Sequence, residues 1–195
     1  NSVVNGRSME YPVDLKSEII IVPAGVSVEN NAVNGARGMV FTTRYGFLGI
    51  NAFGMKDVFV DGFNEKGLSL SGLMYTGAEY QQPVPGKFIN LDNFATWVLG
   101  SFATVDEVKT AMSAVCISPS SVKKIKDMGL HVAISDISGR SIVIEFINGN
   151  VGVYDNPLGV MTNRPSFDWQ MTNLRNYIHL DRNDRKPRKL SGVKI

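Results

Sequence analysis

Apolar positions in this chain fall mostly into short runs separated by glycine, asparagine and proline, a spacing that suits strands better than long helices. Val3–Asn5 reads as short and extended, and Gly6-Arg7-Ser8-Met9-Glu10-Tyr11 continues it up to Pro12. Glu18–Pro23 is β-branched and ends at a proline, which predicts a strand. The polar, Asn- and Gly-rich stretch Gly25–Gly38 predicts a hairpin loop. Met39–Thr43 and Gly46–Ala52 are expected to pair with each other around Arg44-Tyr45. Val58–Asp61 is a further strand, and Asn64-Glu65-Lys66-Gly67 a turn whose glycine suits positive φ. Leu68–Leu73 follows, with Ser69, Ser71 and Gly72 small enough to let another backbone approach.

Two helices come next. Leu91–Leu99 is bounded by Gly86 and Gly100. Thr104 opens the second helix, with Glu107 three residues on as a capping box and Val105, Val108 and Met112 on one face. Leu130–Ser135 and Ser141–Phe146 predict a hairpin around Asp136-Ile137-Ser138-Gly139, and Asn148-Gly149-Asn150 turns into Val151–Tyr154. A last helix is expected over about Asp168 to Ile178. Strands in blocks joined by hairpin turns argue for an α+β fold of antiparallel sheets with helices packed outside, not a βαβ parallel sheet. No internal repeat or linker interrupts the 195 residues, which read as a single domain.

Composition narrows the function classes. Apolar residues make up 44% and charged residues 19%, an ordinary globular balance, and the net charge of +2 argues for neither nucleic acid nor an anionic membrane. No apolar run approaches the roughly 18 residues of a spanning helix, and no signal-peptide pattern opens the chain, so cytoplasm and periplasm both stay open. Cys116 is the single cysteine, so an internal disulfide is excluded. It stands at the apparent end of a helix and reads as a small buried apolar residue. His131 and His179 are isolated from other ligating residues, and His131 sits in an apolar strand, so no metal site is expected. The block Arg182–Lys194, six basic residues against Asp184, reads as a solvated loop or tail. The chain lacks a Gly-rich dinucleotide or phosphate loop, a G-x-S-x-G elbow and an H-E-x-x-H helix, which removes the commonest nucleotide enzymes, serine hydrolases and zincins.

Six ordered segments carry a resemblance. They are Gly6-Arg7-Ser8-Met9-Glu10-Tyr11, Arg44-Tyr45-Gly46-Phe47-Leu48-Gly49, Asp61-Gly62-Phe63-Asn64-Glu65-Lys66-Gly67-Leu68, the helix opening Ser101–Val108, Met161-Thr162-Asn163-Arg164-Pro165-Ser166-Phe167-Asp168, and Asn173–Tyr177. In this order they resemble the choloylglycine hydrolases, the bacterial family of bile salt hydrolases and penicillin V acylases. That resemblance implies an αββα sandwich of two antiparallel sheets with helices outside. It implies no cofactor, and a small acyl amide as substrate rather than nucleic acid or membrane. Homotetramers are common among its members. The implied chemistry uses an N-terminal cysteine whose thiolate attacks the amide carbonyl while its own α-amino group serves as base.

By the same resemblance Arg7 is the arginine beside the nucleophile and Glu10 stands where the family has an aspartate that orients the nucleophile's amine. Asn163 is the side-chain donor to the oxyanion, and Met74, where relatives carry Asn or an aromatic, offers only its backbone N–H. Met9 and Phe59 are expected in the acyl pocket. Val3–Tyr11 aligns with the family's second strand, which places the cysteine upstream of Asn1, and the family continues past Ile195 to a second site arginine. The chain is therefore expected to be an internal portion of the domain, truncated at both ends and inactive by itself; the alternative is a non-catalytic relative that keeps only a binding cleft.

Overall fold

The computed structural model describes residues 2–32, 34–122, 125, 128–183 and 188–194. It divides into two compact units, Asn1–Arg164 and Pro165–Ile195. The first holds β1 (Ile19–Val22), β2 (Ser27–Asn31), β3 (Arg37–Thr42), β4 (Phe47–Asn51), β5 (Phe59–Asn64), β6 (Ser69–Met74) and β7 (Phe88–Asn90). It continues with α1 (Leu91–Ser101), α2 (Val105–Met112), β8 (Cys116–Ser118), β9 (Leu130–Ser135), β10 (Ser141–Ile147) and β11 (Asn150–Asp155). The second holds α3 (Phe167–Leu174), a 3-10 turn over Arg175–Tyr177, and the short strands β12 (Lys189–Leu190) and β13 (Val193–Lys194). The helix expected over Asp168–Ile178 is thus split into an α-helix and a tighter turn. The basic block Arg182–Lys194 lies partly outside the described residues.

Seven strands of the first unit form one sheet in the order β1-β4-β5-β6-β9-β10-β11, each neighbouring pair antiparallel. The α+β reading holds, and one sheet with one helical layer of the αββα arrangement is present. Leu70, Ile134 and Ile142 stand side by side across β6, β9 and β10, all within the buried core with Val98 and Leu99 of α1. The alternation of a strand sends their neighbours Asp61, Ser71 and Ala133 to the opposite face. Close approach of α1 is possible because Gly62 has no side chain: a Cβ there would sit 2.8 Å from Leu99 Cδ1. Helix α1 is buried almost all round, as its apolar run LDNFATWVLG requires.

Local chemistry explains the boundaries. The turn after β5 has Gly67 at φ +80°, as its sequence predicts, with Asn64 Oδ1 accepting from the Lys66 and Leu68 amides. Thr104 caps α2 by accepting from Glu107 N–H at 3.3 Å, and the Glu107 carboxylate reaches back to the Ala103 amide at 2.6 Å, one residue before the cap.

Four expectations are corrected. Gly25–Gly38 is not a loop: its polar run Ser27–Asn31 is strand β2, paired with β3. Residues 39–43 accordingly pair with β2 rather than with Gly46–Ala52, which lies between β1 and β5. The strand is secured from outside itself, since Asn30 donates to the Met39 carbonyl and accepts from the Asn90 amide. Val3–Tyr11 forms no ladder among the described residues. Cys116 is buried as expected, but it opens β8 rather than closing a helix.

Candidate active site

Strand alternation sets a polar group into the face opposite α1. Asp61, in the middle of β5, is 6% exposed there, beside Ser71 of β6. The Arg7 guanidinium meets it at 2.8 Å and also donates to the Gly72 carbonyl at 2.6 Å. Burial pushes the Asp61 carboxyl above the ordinary range, and a hydrogen bond from Ser71 together with the charge and hydrogen bond of Arg7 offset only part of that rise. Arg7 is therefore a fixed cation, held by one carboxylate and one carbonyl, not a mobile surface side chain.

Arg7 borders a cavity of about 500 Å³. Arg7, Met9, Glu10, Met74 and Asn163, drawn from three distant parts of the chain, all line it. The structure does not bring Phe59 there. Its ring packs edge-on to Phe47 at 5.3 Å in the core, and the next residue, Val60, faces the cavity instead. The register slips between Ile50 and Asn51 beside it, and a one-residue offset exchanges the two faces of a strand.

The edge of β6 supplies a second feature. Tyr75 N–H donates to the Gly129 carbonyl at 2.8 Å on the β9 side. Antiparallel alternation therefore turns the Met74 N–H and the Gly72 carbonyl to the other edge, beyond the end of the β5 ladder at Ser71. That edge is where Arg7 reaches the Gly72 carbonyl. A backbone donor, a cation and a carboxylate pair thus share one rim.

The remaining wall is soft and apolar. Met9, Met74, Met128 and Met161 line it together with Leu15, Leu73 and Leu130. Those four are half of the chain's eight methionines. Flexible, polarizable thioethers adapt to an irregular apolar group better than branched side chains do.

Asp61 and the methionine wall escaped the reading of the sequence. Asp61 opens the segment D-G-F-N-E-K-G-L, read there only for its turn. The signal was an aspartate inside a strand, where that residue is depleted. Among the described residues no group of three or more His, Cys, Asp or Glu is placed to hold a metal ion, and no helix is long and apolar enough to cross a membrane. Cys116 is buried and is not among the cavity residues.

The family described as linear amide C–N hydrolases, choloylglycine hydrolase family, matches residues 1–195. A bile salt hydrolase/transferase of Clostridium perfringens is 37% identical over 180 residues, covering 90% of this chain and 54% of the relative. A solved conjugated bile acid hydrolase variant from Clostridium perfringens superposes with a TM-score of 0.73 at 37% identity, over 95% of this chain and 56% of that one. Penicillin V acylase from Agrobacterium tumefaciens does so with a TM-score of 0.77 at 25% identity, over 90% and 53%. The chain spans about half the length of the relatives it matches.

Proposed function

The chain belongs to the choloylglycine hydrolase family of linear amide C–N hydrolases, and from that premise we propose that its protein cleaves amides of bulky, apolar acyl groups, such as bile acid conjugates or penicillin V. The carrying observation is one cavity in which Arg7, Glu10, the β6 edge at Met74 and Asn163 meet a methionine wall. By the family resemblance the nucleophile in this reading is a mature N-terminal cysteine upstream of Asn1; Cys116 is buried and does not line the cavity.

In the first step the cysteine sulfur attacks the amide carbonyl carbon, and the thiol proton passes to the nucleophile's own α-amino group. Glu10 orients that amine, and Arg7 favours the thiolate from a position fixed by Asp61. Negative charge on the carbonyl oxygen is met by the Met74 N–H and the Asn163 side-chain amide. Collapse of the intermediate breaks the C–N bond; the leaving amine takes the proton, and a thioester remains. Water then releases the acid and restores the thiol.

The experiment is made on the natural full-length protein. Intact mass identifies the mature N-terminus, and amine release is assayed with glycocholate, taurocholate and penicillin V. A mature N-terminal cysteine and turnover abolished by its Cys→Ala change support the proposal, and the preferred substrate assigns the acyl class. Absence of both the cysteine and any release sinks it, leaving a family relative that only binds.

A further inference from the structure

Outside the cavity lining stands a group of side chains in mutual contact that the proposed chemistry does not use. Its base is His131 of β9 and Glu145 of β10, 1% and 0% exposed, with Nδ1 and Oε1 at 3.1 Å. The contact gives each of two fully buried polar groups a partner. The ring of Tyr75, itself 5% exposed, packs against His131 with centroids 4.9 Å apart. The Arg164 guanidinium also lies over the Tyr75 ring, 5.4 Å from its centroid. Arg164 also donates to the Thr76 carbonyl at 2.7 Å. Gly77 leaves room for it, since a Cβ there would stand 3.2 Å from the guanidinium nitrogen.

One step along the chain from each side of the Tyr75–Arg164 contact stand the two oxyanion groups: Met74 precedes Tyr75, and Asn163 precedes Arg164. Met74 belongs to a sheet strand, whereas Asn163 belongs to an exposed segment outside any helix or strand. A cation on an aromatic face and a charge-assisted hydrogen bond to the adjacent carbonyl are two directional restraints between those elements. We propose that Arg164 is a positioning residue that fixes Asn163 relative to the β6 edge by clamping onto Tyr75 and Thr76, with the His131–Glu145 pair as the rigid floor beneath Tyr75. The inference rests on the oxyanion assignment proposed above. Misplacing a donor by about an ångström weakens it in the transition state far more than in the bound substrate, so the clamp acts on kcat rather than on KM.

The test uses the natural full-length protein, with Arg164→Met, Arg164→Lys and Asn163→Ala measured for kcat, KM and thermal midpoint. Expected are a kcat lowered about tenfold in Arg164→Met with KM within about twofold, and a larger fall in Asn163→Ala. Lys, which keeps a cation over the ring and a donor for Thr76, restores most of the kcat. The exposed guanidinium leaves the midpoint nearly unchanged. Wild-type kcat in Arg164→Met beside a damaged Asn163→Ala overturns the clamp and leaves the oxyanion assignment standing. Wild-type kcat in Asn163→Ala overturns both. A loss in Arg164→Met that tracks loss of folded protein, or that Lys does not repair, also overturns the clamp.

Discussion

Arg7 and Asp61 are separated by 54 positions and meet at 2.8 Å on the sheet face opposite α1. One end of that pair is a quarter exposed and the other nearly sealed, with side-chain exposures of 25% and 9%. Removing two charges from water offsets much of their attraction, so such a pair is weak evidence for stability and better evidence for a fixed electrostatic geometry. The pH behaviour of Asp61, set against that of the likewise buried Asp136, separates those roles.

Asp61 has its carboxyl raised, first by burial and against the pull of Ser71 and Arg7. A raised folded-state pKa contributes stability below the ordinary carboxylate value, and the contribution is lost as pH rises through the folded value. Relative to wild type, Asp61→Asn should therefore gain stability as pH is raised from about 4 to about 7. Urea midpoints of the two proteins across that range check it. A difference that is flat, or that moves the other way, removes burial as the dominant influence.

Asp136 has the opposite sign. Burial works against it, but the Ser138 hydroxyl and amide, the Val105 amide and the Arg140 guanidinium hold its carboxyl below the ordinary range. The Val105 N–H at 3.0 Å is the first helical amide of α2, so the charge sits on a helix N-terminus. Its contribution is present above the unfolded pKa and is lost as pH falls through the folded one. Asp136→Asn should cost about 2 kcal/mol near neutrality, with the gap closing on acidification. A gap that widens in acid would contradict the assignment.

Asn64 joins three elements through four hydrogen bonds. It is 2% exposed, donates to the Leu99 and Phe102 carbonyls at 2.8 and 2.7 Å, and accepts the Lys66 and Leu68 amides. Asn64→Ala should destabilise by about 3 kcal/mol, because it strands carbonyls at the end of α1 as well as amides of the turn. Asn64→Asp keeps the acceptors but faces those carbonyls with negative charge, and should be at least as damaging. A loss below about 1 kcal/mol in chemical denaturation of the alanine variant would show that water replaces the side chain.

What was legible in the sequence depended on how local its cause is. Gly67 and the Thr104 cap on the Glu107 amide are decided within a few residues and are found as read, while the return bond of Glu107 falls one residue early, on Ala103. Strand β2 was missed because Ser-Val-Glu-Asn-Asn has poor strand character, and its pairing is secured by Asn30 and Asn90 from 60 positions apart. Phe59, expected in the acyl pocket, packs in the core instead, beside a register slip at Ile50/Asn51 that no local sequence signal announces. Arg7, Glu10, Met74 and Asn163 were reachable only through resemblance, since nothing local says that residues so far apart line one cavity.

Glu10 tests whether charge or reach matters in the orienting role. It lines the cavity at an exposed position, and by resemblance it stands where an aspartate is usual. If the carboxylate charge holds the nucleophile's amine, Glu10→Gln should lower kcat of the full-length protein by about tenfold to a hundredfold. Asp is one methylene shorter, a change of about 1 Å that in a rigid strand would be costly. Residues Met9–Tyr11, however, belong to no ladder among the described residues, so their backbone can shift to absorb it. Glu10→Asp should accordingly stay within a fewfold of wild type. Steady-state kinetics on both variants decide between the two factors. Equal losses would mean that reach is fixed and that this segment is held as firmly as a strand, and an active Glu10→Gln would remove Glu10 from the mechanism.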